Sequence, residues 1–303
     1  MELRVLRYFL AVAREESISA AAAYLHLTQP TLSRQLMELE AEVGKPLFLR
    51  GRRITLTEEG MLLRKRASEI VELVEKTEQE LQRPGEVVAG DVYIGGGESD
   101  AIRLIARTAR ALRETCPEVR YHLYSGNAVD VGERLDKGLL DFGVMVEPDD
   151  LEKYDYLRLP YADTWGVLMR RDSPLADKSC VRAEDLWDLP LLMSRQSLGR
   201  GSLAGWLRRD YDRLNIVTTY NLIFNAALLV DEGMGYALTL DKLVHTGEDT
   251  TLCFRPLDPP VEMGVYVVWK KFQVFSRPAE AFLKLLRQQT RCEPCCPAGP
   301  GVI

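Results

Sequence analysis

The sequence predicts an α+β chain in three parts: a winged helix-turn-helix at the amino end, a connecting helix, and a two-lobed α/β domain. Three observations predict it. Two short helical patterns meet across a turn in SISAAAAYLHLTQPTLSRQLMEL, residues 17–39. A long helix-forming run then stops at Pro84 and Gly85, and from residue 90 strand-like and helix-like segments alternate in two groups. The expected divisions are 1–58 for the first part, 59–85 for the connecting helix, 90–290 for the large domain and 291–303 for a disordered tail rich in Pro and Gly.

In the first part, residues 6–13 form a packing helix and Ser17 caps a second helix over 18–25, whose alanines permit close packing. Thr28 caps a third. Pro30 falls in its first turn, where a missing N–H costs nothing, and Leu32, Leu36, Leu39 and Val43 follow on one face as core. At about 100° per residue, Pro30, Ser33, Arg34 and Met37 lie opposite, with Gln29 at the leading end. Gln pairs with adenine, Ser with base or phosphate, and Arg with guanine or phosphate, so this face suits a DNA groove. The same residues also fit an ordinary helical hairpin with a solvated face. After Gly44, KPLFLRGRRITLT reads as extended pieces at 46–49 and 54–57 joined by Arg50, Gly51, Arg52 and Arg53. An arginine-tipped hairpin beside such a helix pair can neutralise phosphates or enter a minor groove.

The run SxSxAAxxLxxTQPTLSRQLxxLE followed by GxPLFxRxxRxxLTxxG resembles the LysR-type transcriptional regulators over more than fifty residues. The resemblance implies that Gln29, Pro30, Thr31, Ser33 and Arg34, positioned by the caps Ser17 and Thr28, face double-stranded operator DNA, with Arg50 and Arg53 on the wing. It also implies a homodimer, commonly a tetramer in full-length proteins, a small-molecule effector, and contact with RNA polymerase at the promoter.

Bulk properties agree. The 303-residue chain is 46% hydrophobic and carries a net charge of −6, yet residues 1–66 hold eleven Lys and Arg against eight Asp and Glu (+3), leaving 28 against 37 (−9) elsewhere. The basic excess sits at the proposed DNA-binding end. No apolar run approaches the ~18–20 residues that span a bilayer, and the first residues lack a signal-peptide core, so a cytoplasmic protein is expected. Cys116, Cys180 and Cys253 read as small buried hydrophobes, and Cys292, Cys295 and Cys296 lack the second ligand pair of a metal site. No metal and no cofactor are expected.

The connecting helix places Leu63, Ala67, Ile70, Val74, Thr77 and Leu81 at alternating four- and three-residue spacings, a heptad seam that predicts pairing of two such helices. Packing against the chain's own first domain is the alternative.

The large domain reads as βαβαβ from DVYIG to LDFGVMV, then a second α/β lobe, with VYVVWK and the helix over 279–289 returning to the first. Lobe I is expected over 90–162 and 266–290, lobe II over 163–265, with crossings at 161–165 and 262–265 as a hinge. This is the layout of periplasmic solute-binding proteins and of the family's effector domain. Gly95, Pro117, Gly138 with Asp141, and Gly233 with Gly235 stand where that family has them, whereas Thr239 and Leu240 depart from its usual proline. Ligands in such sheets bind at strand carboxyl ends and helix amino ends. That places Glu98, Ser99, Asp100, Ser125, Gly126, Asn127, Met145, Val146, Ser194, Gln196, Ser197, Phe224 and Asn225 in the cleft. Glu98 and Asp100 beside Ser99 favour an amino, hydroxyl or uncharged effector group over a strongly anionic one.

Enzyme readings fail on the residues. Gly95, Gly96 and Gly97 follow a strand, but the dinucleotide fingerprint needs its third glycine where Asp100 stands. His26, His122 and His245 are scattered, and no HExxH, GxSxG or Walker lysine occurs.

Overall fold

The computed structural model describes residues 1–49, 51, 53–81, 88–148, 150–198 and 201–292. Arg50, Cys295, Cys296 and most of the expected tail lie outside the described residues. The chain divides into two compact units, Met1–Pro84 and Gly85–Ile303.

In the first unit, α1 (Leu3–Glu15), α2 (Ile18–Tyr24) and α3 (Gln29–Val43) enclose a core of Phe9, Val12, Ala21, Leu32, Leu36 and Leu39. Ser17 Oγ accepts from Ala20 N at 3.3 Å and Thr28 Oγ1 from Thr31 N at 3.4 Å, so both helices start where an oxygen is available to an orphan N–H. Gly44 ends α3 in the left-handed region, at φ 72°, that a C-terminal cap requires. Val43, expected in the core, is 41% exposed, because it lies one turn beyond Leu39 at the end of the packed stretch.

The wing is a short hairpin of β1 (Phe48–Leu49) and β2 (Thr55–Leu56), paired Phe48 to Leu56 and Leu49 to Thr55. It leads into α4 (Glu58–Leu81), capped by Thr57, whose Oγ1 accepts from Gly60 N and donates to Pro46 O. Gly60 is obligatory at this junction: a Cβ there would stand 2.1 Å from Leu47 O.

The expected seam of α4 is corrected at its first half. Ala67 is fully buried and Leu63 half-buried against the first unit's own core, since the small Ala67 lets α4 approach α1. Arg7 of α1 also pairs with Glu75 of α4 at 3.5 Å. Besides Met61 in the first turn, the apolar residues left exposed are Leu62, Ile70, Leu73 and Leu81, with Val74 half-buried. Those four exposed residues lie within about 100° of one another around the helix.

Among the described residues, the second unit is built on a nine-stranded sheet, eight strands in one path and a ninth beside it. β3 (Gly90–Gly96) pairs in parallel with β4 (Val119–Ser125) and β5 (Phe142–Val146), and β11 (Glu262–Lys270) joins β5 antiparallel. β6 (Tyr154–Arg170), 17 residues long, pairs with β11 through its first part and with β9 (Tyr236–Leu240) and β10 (Leu252–Pro256) through its last. β7 (Leu191–Ser194) pairs in parallel with β9 and β8 (Ile216–Tyr220). The changeover falls at Thr164 and Trp165, inside the segment read as a hinge.

Helices cover both faces of each half. α5 (Ile102–Thr115) and α9 (Arg277–Cys292), the latter through Phe282, close over Val92, Ile94 and Phe142, while α6 (Ala128–Asp136) packs Val131 and Leu135 on the other side. In lobe II, α7 (Gly201–Leu207) and α8 (Ile223–Asp231) lie over Met193 with Trp206 and over Leu192 with Val230, respectively. α9 runs to Cys292, past the expected start of the tail. Cys253 is buried, whereas Cys116 and Cys180 are only half-buried, the first at a helix end and the second in a turn.

Leu32 has no exposure in the α1–α3 core. Leu32→Ala is expected to cost about 2–5 kcal/mol in urea unfolding of the amino-terminal unit, and a loss below about 1 kcal/mol would contradict that packing.

Candidate DNA-binding face and inter-lobe cleft

On α3, Thr28, Gln29, Pro30, Thr31, Arg34 and Met37 are exposed and Ser33 is half-buried, so the polar face lies opposite Leu32, Leu36 and Leu39. At the helix's amino end Thr28 takes the Thr31 N–H through its Oγ1 and the Leu32 N–H through its backbone oxygen, and Pro30 has none to offer, so the exposed side chains and the positive end of the helix dipole are what suit this end to phosphate. Arg34 is 81% exposed and its Nε donates to Glu38 Oε1 at 2.9 Å. Such a surface pair is worth only about 0.3–0.5 kcal/mol, so it does not commit the Arg34 guanidinium to Glu38. Ser17 and Thr28 use their oxygens as caps, which makes them positioning residues first.

Sequence reasoning missed the residue that holds the wing. Glu40 Oε1 accepts from Leu47 N at 2.8 Å and from Phe48 N at 3.1 Å, tying the hairpin to α3. Ile54 N also donates to Glu16 O, fixing the other strand. The signal available was an acidic residue next to the buried Leu39, at the end of the LxxLE motif. On the wing, Arg53 is 81% exposed and lies 3.7 Å from Glu16, another weak surface pair.

In the second unit, the expected cleft residues separate into several groups. Glu98 accepts a hydrogen bond from Ile223 N, so a lobe I carboxylate caps the amino end of the lobe II helix α8. Ser99 is buried, its Oγ accepting from Ala101 N at 3.1 Å. Gly126 N donates to Gly96 O at 3.0 Å, which brings the ends of β3 and β4 together, and Ser125 beside it is exposed. Asn127 Oδ1 caps α6 through Asp130 N.

Other assignments serve structure. Met145 is corrected: it is buried in the core under α6 with Val131, Leu135 and Tyr154, because alternation along β5 turns it away from the face that Val144 and Val146 share. Val146 is half-buried against that second face. Ser194 Oγ accepts from Gln196 N and Ser197 Oγ donates to Ser194 O, closing a tight turn in which Gln196 is exposed. Phe224, 69% exposed, and Asn225 both lie on the exposed side of α8.

A cavity of about 210 Å³ lies at the crossing between the lobes. Asp100, Arg103 and Arg107 line it from lobe I, Tyr161, Asp163 and Thr164 from β6, and Asp241 and Lys242 from lobe II. Of these the sequence reading placed only Asp100 in a site. Asp163 is 6% exposed, and its Oδ2 is enclosed with no hydrogen-bond partner among the described residues. Burial pushes its carboxyl up from the ordinary value, and Asp100 and Asp241 add to that, while Ser99 and Lys242 oppose it. The available signal was one acidic residue at the mouth of an otherwise apolar strand, YADTWGVLM.

With both geometries in view, the comparisons with known proteins agree. The family model described as the LysR substrate binding domain matches residues 85–291, and that of the bacterial regulatory helix-turn-helix protein, lysR family, matches residues 3–61. The chain belongs to the LysR family of transcriptional regulators, which are DNA-binding proteins and not enzymes. It is 32% identical over 281 residues to the Hca operon transcriptional activator HcaR of Escherichia coli (strain K12), covering 89% of this chain and 92% of that one. To the HTH-type transcriptional regulator BsdA of Bacillus subtilis (strain 168) it is 29% identical over 297 residues, 94% of this chain and all of the other. The crystal structure of CbnR, a LysR family transcriptional regulator, superposes with a TM-score of 0.75 at 19% identity, covering 96% of this chain and 99% of that chain. CbnR has also been solved in complex with its target DNA, with a TM-score of 0.73 to this chain. No helix among the described residues is long and apolar enough to cross a membrane.

The raised pKa of Asp163 carries a stability consequence. A carboxyl whose folded value exceeds its unfolded value contributes most below the unfolded value, and that contribution is lost as pH rises through the folded one. Ionised Asp163 therefore weighs against the fold at neutral pH, with Asp100, Asp241, Lys242, Arg103 and Arg107 around it. Asp163→Asn is expected to raise the thermal midpoint at neutral pH, the gain shrinking as pH falls toward the ordinary carboxylate range. A lowered midpoint at neutral pH would show that the carboxylate has a stabilising partner.

Proposed function

We propose that the chain is a cytoplasmic regulator that binds a two-fold operator as a dimer, assembles further into a tetramer, and changes its contact with RNA polymerase when a small molecule occupies the cleft between the lobes. One observation carries the DNA assignment: the amino end of α3 exposes Gln29, Pro30, Thr31 and Arg34 while Glu40, on the same helix, anchors an arginine-bearing wing. Gln29 and Arg34 are assigned to base edges or adjacent phosphates, Thr28, Thr31 and Ser33 to the backbone, and Arg50 and Arg53 to flanking phosphates. The exposed stripe Ile70, Leu73 and Leu81 of α4, with Leu62, is assigned to the dimer.

The response follows from the crossing strands. A ligand that touches both lobes favours one arrangement of β6 and β11 over others, and its differential affinity sets how far the population moves. The readout is the spacing of DNA-bound dimers, which places or removes polymerase contacts.

Arg34→Ala is expected to weaken binding to the DNA upstream of the chain's own gene by about 1–3 kcal/mol if Arg34 reads a base. Arg53→Ala is expected to lower affinity for all sequences alike and to flatten the salt dependence by about one phosphate contact. Fluorescence anisotropy over a salt series separates the two, and unchanged affinity for Arg34→Ala would remove α3 from the reading surface. For the dimer, Leu73→Glu places a charge in the apolar stripe and is expected to weaken self-association by more than about tenfold in sedimentation equilibrium. Association identical to the parent's would move the interface off that stripe.

A further inference from the structure

Resting on the effector reading above, we propose that the cavity at the lobe crossing takes its effector through a protonated nitrogen, an amine or guanidinium group held on the carboxylate of Asp163.

The carboxylate is nine-tenths enclosed, and Oδ2 has no hydrogen-bond partner among the described residues. Buried carboxylates are normally paired, because an enclosed, unsatisfied charge is costly. The neighbouring cations do not meet this need. Arg103 donates to Asp100 at 2.6 Å and Arg107 donates to Tyr161 Oη at 2.7 Å, while Ser99 gives the carboxylate one hydrogen bond and Lys242 acts on it through charge without closing on Oδ2.

Asp100 and Asp241 line the same cavity, so an incoming carboxylate would meet like charge, whereas an ammonium or guanidinium would meet an acceptor and a favourable field. The three acidic residues come from lobe I, the crossing strand and lobe II, so one bound cation touches both sides of the hinge. The volume of about 210 Å³ equals roughly seven liquid waters, below the ~300–1,000 Å³ of drug-sized sites, which fits a small aliphatic metabolite.

The test uses the full chain and a matched series: butylamine, putrescine and agmatine against butyrate and butanol, by titration calorimetry and thermal unfolding. At least one amine is expected to bind and to raise the unfolding midpoint, with affinity falling about 10- to 100-fold in Asp163→Asn, while butyrate and butanol have no such effect. Asn keeps the shape of the side chain, and Asp241→Asn, at the cavity wall, is a second variant expected to weaken the same amine. Equal amine affinity in both variants, binding of butyrate as strong as that of the amines, or no binding by any amine at millimolar concentration would overturn the proposal. Operator affinity separates this from the parent reading. An amine bound through Asp163 that leaves operator affinity unchanged would sink the effector role and keep the site. A carboxylate that shifts operator affinity independently of Asp163 would keep the effector role and overturn the ligand class.

Discussion

The antiparallel pairing of β6 with β11 is the constraint on which the second unit depends. A strand of 17 residues cannot bury all of its side chains in one small core, and β6 does not: Tyr154 to Thr164 pair with β11, while Trp165 to Arg170 pair with β9 and β10. Two helix-covered layers are thus joined by a continuous backbone instead of a loose linker. Any relative motion of the lobes must bend this pair, and its register shifts between Gly264 and Tyr266, close to where the two layers part.

That geometry explains why the crossing is a place for a polar cavity. Apolar cores begin on both sides of it, Leu159 in the lobe I core and Trp165 in the lobe II core. Asp163 sits between these cores, paired in register with Met263 of β11 and lining the cavity. A carboxylate there weighs against the fold, and on the proposed reading that cost is offset by ligand recognition.

Much of the first unit was legible because local chemistry decided it. Ser17 and Thr28 announce helix starts, Pro30 fits only a first turn, and the leucine spacing of α3 assigns its faces. The same reasoning overreached at Val43, where the helix outruns its partners, and at Ala67, where heptad spacing could not tell a partner helix from the chain's own α1. In the second unit, the parallel strands and the return of β11 to lobe I could be read from alternation, but the strand before residue 161 and β10 could not. Both pair with partners distant in sequence. The rule about strand ends reached Asp100 at the cavity wall and passed over Asp163, which lies within β6 and not at a strand's carboxyl end. Met145 shows the limit of that rule, since a strand end has two faces and position alone does not choose between them.

The central claim is that a basic winged helix-turn-helix on an otherwise acidic chain reads DNA. The most direct measurement is footprinting of the full chain on the region upstream of its own gene, with competitor DNA and a salt series. Two protected half-sites with related sequences about one helical turn, or a multiple of it, apart are expected, with a steep linear fall of log affinity with log salt. Protection that is uniform along the fragment, or affinity that does not change with salt, would contradict the claim.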